Sequence, residues 1–106
     1  MINNKIEIKY SPNFEKKGVF AISYLLIGEE LHELQGEKKY ISSELSICID
    51  SKFHIIDHFA MHLNHSDNPN STITNNVLFA IKDIKVGEEL TLNWNEHNAE
   101  CKLRTH

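Results

Sequence analysis

Asn64-His65-Ser66-Asp67-Asn68-Pro69-Asn70 packs short polar side chains and a proline into seven residues. On the turn preferences of these residues alone, it reads as a side-chain-capped turn. Its density of donors and acceptors also suits a rigid loop that grips a polar ligand through its main chain. Close downstream lie Leu78-Phe79-Ala80, Asp83-Ile84 and Gly87-Glu88-Glu89-Leu90-Thr91. This second stretch is itself half of an internal repeat, because Phe20-Ala21-Ile22 through Gly28-Glu29-Glu30-Leu31 matches Phe79-Ala80-Ile81 through Gly87-Glu88-Glu89-Leu90 at a constant offset of 59. Each copy reads as a strand, a short connection, a glycine able to take positive φ, and a second strand. Two copies make a pseudo-symmetric pair and not a solenoid, which needs three or more.

Around the repeat the period is mostly two. Ile6, Ile8 and Tyr10 alternate with Lys5, Glu7 and Lys9, giving a strand over residues 5–10 that ends at Ser11-Pro12-Asn13. Strands are also expected over Val19 to Ile22, over Glu29 to Leu34, and over Glu44 to Asp50, where Leu45, Ile47 and Ile49 share a face. Thr72-Ile73-Thr74 and Val77 to Ile81 flank Asn75-Asn76, a hairpin signal because asparagine tolerates positive φ. Residues 54–63 differ: His54, His58 and His62 recur every fourth residue beside Ile55, Phe59 and Leu63, which predicts one short helix. Asn95 to His106 is polar and is expected to be a loose tail or lid.

Composition narrows the class. A chain of 106 residues has room for one core, burying about 65% of its unfolded surface. Hydrophobic and charged fractions of 41% and 25% are ordinary globular usage. No apolar run approaches the roughly 20 residues that span a bilayer, and Asn3, Asn4 and Lys5 stand where a signal peptide needs an apolar core. A cytoplasmic or intracellular location, without membrane association, is the expectation. If the source is a pathogen or virus, that location extends to the inside of a host cell. A net charge of −4 argues against direct nucleic-acid binding and favours a cationic partner.

The loop and the second repeat together resemble the SET-domain signature, an Asn-His-Ser-x-x-Pro-Asn loop preceding an Ala-x-x-Asp-Ile-x-x-Gly-Glu-Glu-Leu segment. Lys17-Gly18-Val19-Phe20-Ala21 and Gly28-Glu29-Glu30-Leu31 resemble that family's N-terminal motif, so the similarity runs from about Ile6 to Asn95. The resemblance implies a mainly β, β-clip-like fold of several small sheets with a C-terminal pseudoknot, residues 1–95 forming the SET domain and 96–106 the tail or lid. It implies a protein-lysine methyltransferase using S-adenosylmethionine, with a lysine-bearing protein or peptide, a histone or another basic protein, as substrate. Lys17, Gly18, Val19 and Phe20, read as a turn, would hold the cofactor together with Asn64 through its side chain and His65 through its backbone. The substrate lysine would enter from the opposite face. The family's tyrosine, whose phenol orients the amine, is replaced here by Trp94, which has no oxygen. Trp94 could wall the channel and attract a cation through its π face, and Tyr40 or Tyr24 would be needed for a hydroxyl, so Trp94 and Tyr40 are the catalytic candidates. The alternative is a SET-like module that binds cofactor or peptide without turnover.

Other departures matter. Lys16 stands at the first glycine of the family's Gly-x-Gly turn, and Asp57-His58 replaces its Gly-Asn pair. Asp67 and a lone Cys101 replace the cysteines of the zinc-bearing members, so no structural zinc is expected. A competing metal reading draws on His54, His58, His62 and His65 with Asp57 and Asp67, since histidines four apart on a helix share a face, but it lacks the glutamate that hydrolytic zinc helices place beside the first ligand. Cys48 and Cys101 have no activating partner in sequence. Glu29-Glu30 and Glu88-Glu89 read as turn and surface carboxylates. A minimal chain of this kind also has little surface for a substrate groove, which makes a homodimer an expectation from size.

Overall fold

The computed structural model describes residues 3–36, 38–39, 47–48 and 54–103. Its frame is the internal repeat, closed on itself by reciprocal hydrogen bonds. The amides of Leu25 and Ile84 each donate to the other's carbonyl at 2.8 Å. Gly28 N–H donates to Ala80 O and, 59 residues on, Gly87 N–H donates to Ala21 O. Both glycines sit at φ 87°, a backbone conformation that a Cβ disfavours. Glu29 and Glu88 play one role twice: each carboxylate accepts the amide three residues before it, Leu26 or Lys85, at 3.0 Å. These are the turn carboxylates that the sequence suggests.

Among the described residues, three small sheets grow from this frame. In the first, β1 (Ile6–Ser11) and β2 (Lys16–Ala21) form a hairpin, and β2 is also antiparallel to β10 (Glu89–Leu92), which runs parallel to β7 (Asn64–His65). In the second, β9 (Val77–Ala80) lies between β3 (Glu30–Glu33) and β8 (Ser71–Thr74). In the third, β6 (His54–Ile55) lies between β4 (Lys38–Lys39) and β5 (Ile47–Cys48). The repeat shows in the register too, since Glu89 faces Phe20 as Glu30 faces Phe79. Asn75 and Asn76 turn the β8–β9 hairpin at φ 51° and 68°. The core runs through all three sheets, from Ile6, Val19 and Leu25 to Ile47, Ile55, Leu78, Ile84 and Leu90.

β10 is the strand that the loop encloses. Ser66 N–H donates to Leu92 O on one side. On the other, Asn70 Nδ2 donates to Glu89 O, Thr91 N–H donates to Asn70 Oδ1, and Ser71 Oγ donates to Thr91 O. One asparagine side chain thus supplies both a donor and an acceptor to a strand, standing in for a neighbouring backbone. Residues 64–71 wrap β10, which is the pseudoknot implied by the resemblance.

Two local expectations change. The helix over 54–63 is replaced by β6, a turn, and a single 3₁₀ turn at Ala60–His62. The cause is Asp57, a fully buried carboxylate that accepts the amides of Phe59, Ala60 and Gln35 and faces His32 Nε2 at 2.9 Å. An aspartate that captures the amides two and three residues ahead competes with the helical ladder. The polar C-terminal stretch, by contrast, is ordered as α1 (Trp94–Leu103), where Asn93 caps the first turn by accepting the Glu96 amide at 3.0 Å.

Candidate functional site

The polar cluster lies where β2, β7 and β10 meet. Asn64, 3% exposed, donates from Nδ2 to Glu89 Oε2 at 2.7 Å and to Lys17 O at 3.3 Å. Glu89 accepts through its other oxygen from the fully buried Ser11 hydroxyl at 2.5 Å. Asn64 Oδ1 accepts nothing among the described residues. Among the described residues, the enclosed side-chain polar atom without a partner is Asn76 Oδ1.

Gly18 is required here by close approach. A Cβ at that position would overlap the Glu89 carboxylate and lie 3.0 Å from Asn64 Nδ2. Lys17, Gly18, Val19 and Phe20 do not form a turn: they are part of β2, and the turn of this hairpin falls at residues 12–15, where Glu15 takes φ 55°. Val19 is fully buried, so its side chain belongs to the core and only its main chain can meet a ligand. Phe20 is 7% exposed beneath the Lys9 ammonium, 4.6 Å from the ring centroid.

His65 and Trp94 are joined. Trp94 N–H donates to His65 Nδ1 at 3.2 Å, so the other ring nitrogen, Nε2, carries the proton that Asp67 Oδ1 receives at 2.8 Å. The Trp94 indole N–H donates to Leu63 O at 2.8 Å, and the ring packs against the core. Trp94 therefore stands beside the Asn64-His65 strand with its one polar atom already bonded. Tyr24 is exposed on the first repeat's turn, and no hydrogen bond or ring contact among the described residues links it to Trp94. Tyr40 lies outside the described residues. Pro69, Thr72, Leu92, Asn93, Glu96 and His97 line a cleft at the start of α1.

The histidines do not assemble as the metal reading requires. Asp57 is engaged with His32 and His65 with Asp67. His62 is held below the usual imidazole range first by burial and then by the charges of Lys17 and His58. Among the described residues, no three potential ligands converge.

The SET-domain family model matches residues 9–95. The chain belongs to the SET-domain family. No curated protein sequence matches it. Among solved structures, this SET domain is similar to a humanized mutant of the Chaetomium thermophilum Polycomb Repressive Complex 2 bound to the inhibitor GSK126, at TM-score 0.69 and 20% identity over 91% of this chain. It is also similar to a Plasmodium falciparum protein described as a candidate histone methyltransferase, at TM-score 0.66 and 18% identity over 88% of this chain. A third is KRYPTONITE in complex with DNA, a histone H3 peptide and S-adenosylhomocysteine (SAH), at TM-score 0.65 and 25% identity over 84% of this chain. The chain spans 15% of the first of these and 23% of the third, but 95% of the Plasmodium protein.

The motif reading names Asn64, His65, Gly18 and Trp94, and the fold places these four side by side. It missed Glu89 and Ser11. Glu88-Glu89 read as a pair, and nothing in the local sequence separates the turn-capping first glutamate from the inward-facing second.

Proposed function

We propose that this SET domain transfers a methyl group from S-adenosylmethionine to a lysine side chain of a basic protein. The observation that carries the reading is the Asn64–Glu89–Lys17 cluster at the junction of β2, β7 and β10, in a fold shared with histone methyltransferases. The residues fit such a cofactor: an almost buried amide is held in place by Glu89 and the Lys17 carbonyl, and the strand beside it carries a glycine where a Cβ would collide with the Glu89 carboxylate. When bound, the cofactor supplies an electrophilic sulfonium methyl for in-line displacement by a neutral amine.

The protein's share is alignment and exclusion of water. Asn64 and the Lys17 carbonyl hold polar groups of the ligand. Trp94, fixed by its indole bond to Leu63 O, offers a rigid aromatic wall to a cationic side chain. The neighbouring cleft carries the Glu96 carboxylate, which suits the same cationic guest.

A second reading has its own support. Trp94 provides no hydroxyl, and its only donor is bonded to Leu63 O, which favours a module that binds without turnover. Incubation with labelled S-adenosylmethionine and a lysine-rich protein mixture separates the two. Label in protein establishes transfer; binding without label establishes the module; neither binding nor label sinks both.

A further inference from the structure

We propose that β1 is the interface of a symmetric homodimer, in which two copies of the chain pair their β1 strands antiparallel about Ile8 and join their sheets edge to edge. The proposal is independent of the methyltransferase reading, because it draws on the outer edge of the sheet and on no ligand.

The main chain of β1 has a free edge. β1 ends the sheet ordered β1-β2-β10-β7, so one side of it has no partner strand among the described residues. Toward β2, Lys5 O accepts the Ile22 amide at 2.9 Å, and the register sets Ile6 opposite Ala21. Antiparallel strands alternate between residues that exchange hydrogen bonds and residues that do not. Lys5, Glu7 and Lys9 therefore direct their main chains at β2, while Ile6, Ile8 and Tyr10 direct theirs outward. Asn3 Oδ1 takes the Ile6 amide at 3.1 Å, which leaves Ile8 and Tyr10 to donate to a new strand.

The side chains choose the partner and the register. Lys9 lies over Phe20, the residue opposite Glu7, so the two charges share a face. Centring the pair on Glu7 sets that carboxylate against its own copy and Lys5 against Lys9. Centring it on Lys9 sets two ammonium groups together. Centring it on Ile8 sets Glu7 opposite Lys9 twice, Ile8 opposite Ile8, and Tyr10 opposite Ile6. Centres at Ile6 or Tyr10 pair fewer residues, and the first meets the amide that Asn3 already holds.

With Ile8 at the centre, Glu7 and Lys9 fall in non-hydrogen-bonded pairs, where facing side chains approach most closely. Tyr10, 60% exposed on the face of the half-buried Ile8, gains an aliphatic neighbour. Edge strands commonly block pairing with lysine or proline. Here the carboxylate between two lysines makes the strand complementary to itself, and a second copy is the partner that matches it. Because both copies use the same strand, the contact closes as a dimer, and β7 with Asn64 stays at the far end of each sheet.

In sedimentation equilibrium the full chain should be dimeric at about 0.1 mM. Glu7→Lys and Lys9→Glu should each weaken association by about tenfold or more, since every facing charge pair becomes like-charged. Mixing the two variants should restore it, because a chain with two ammonium groups then faces a chain with two carboxylates. In wild type, a sample mixing isotope-labelled and unlabelled chains should show a nuclear Overhauser contact between the Hα atoms of Glu7 and Lys9. Within one extended strand these lie about 6–7 Å apart, and they meet closely only across the pair. That contact needs no substitution, so it decides the case even where a variant fails to fold. A wild type still monomeric at about 1 mM, a dimer without that contact, or folded variants that stay monomeric when mixed overturns the proposal.

Discussion

Asp57 is fully enclosed and holds four hydrogen bonds, from His32 and from the amides of Gln35, Phe59 and Ala60. Burial alone would push its carboxyl up, but the His32 bond and the backbone donors outweigh burial and hold it below the ordinary value of 3.8. A depressed carboxyl contributes stability above its unfolded pKa and loses it as pH falls through the lower folded one. Asp57→Asn should therefore cost about 2–4 kcal/mol at pH 7. In urea melts, that gap from wild type should close as pH drops below about 4. A gap unchanged with pH would show that the carboxylate's charge is not what holds the turn. At Trp94 the expected change is in rate: Trp94→Tyr restores a phenol beside Asn64-His65 and should raise methyl transfer to a lysine peptide by at least about tenfold if the missing oxygen limits the enzyme. An unchanged single-turnover rate would place Trp94 away from the chemistry. Asn64, His65 and Trp94 were legible because a motif names them by position in a short stretch. Glu89, Ser11 and the Asp57–His32 pair were not, because their partners lie 78, 25 and 25 residues away and no local pattern joins them.

Among the elements, the repeat was the most legible feature, since an offset that holds over twelve residues survives into matched turns, matched caps and a reciprocal bridge. Its two glycines allow a paired test. Gly28 and Gly87 share φ 87°, and nothing lies within 4 Å of a Cβ built at either, so strain is the only cost of an alanine. Gly28→Ala and Gly87→Ala should each destabilise by about 1–2 kcal/mol, and by the same amount within error in chemical denaturation. A marked inequality would mean that the two turns are not energetically equivalent. The segment 54–63 was misread for a physical reason: histidines and apolar residues at helical spacing were weighed, while an aspartate able to take two forward amides was not. The helix at Trp94–Leu103 was missed because its cap, Asn93, precedes a stretch with little apolar pattern.

For the molecule as a whole, charge and topology each have a consequence. A net charge of −4 and the Glu96 carboxylate beside the cleft should draw in a basic substrate. kcat/KM for a lysine-rich peptide should then fall as salt rises from 0.02 to about 0.3 M, where screening shortens to less than about 10 Å. Salt independence would remove electrostatic steering from the account. The sheets could be anticipated as small β units from periodicity, whereas the enclosure of β10 by residues 64–71 was anticipated only through the family resemblance, because threading leaves no periodic trace in sequence. That enclosure also sets an order on biosynthesis. The loop that carries Asn64 and His65 is translated well before Glu89 to Leu92, yet its inner surface is lined by that later strand. A nascent chain halted before Leu92 carries the signature loop without a ladder to hold it, so ligand competence should arrive abruptly, only after β10 has cleared the ribosome.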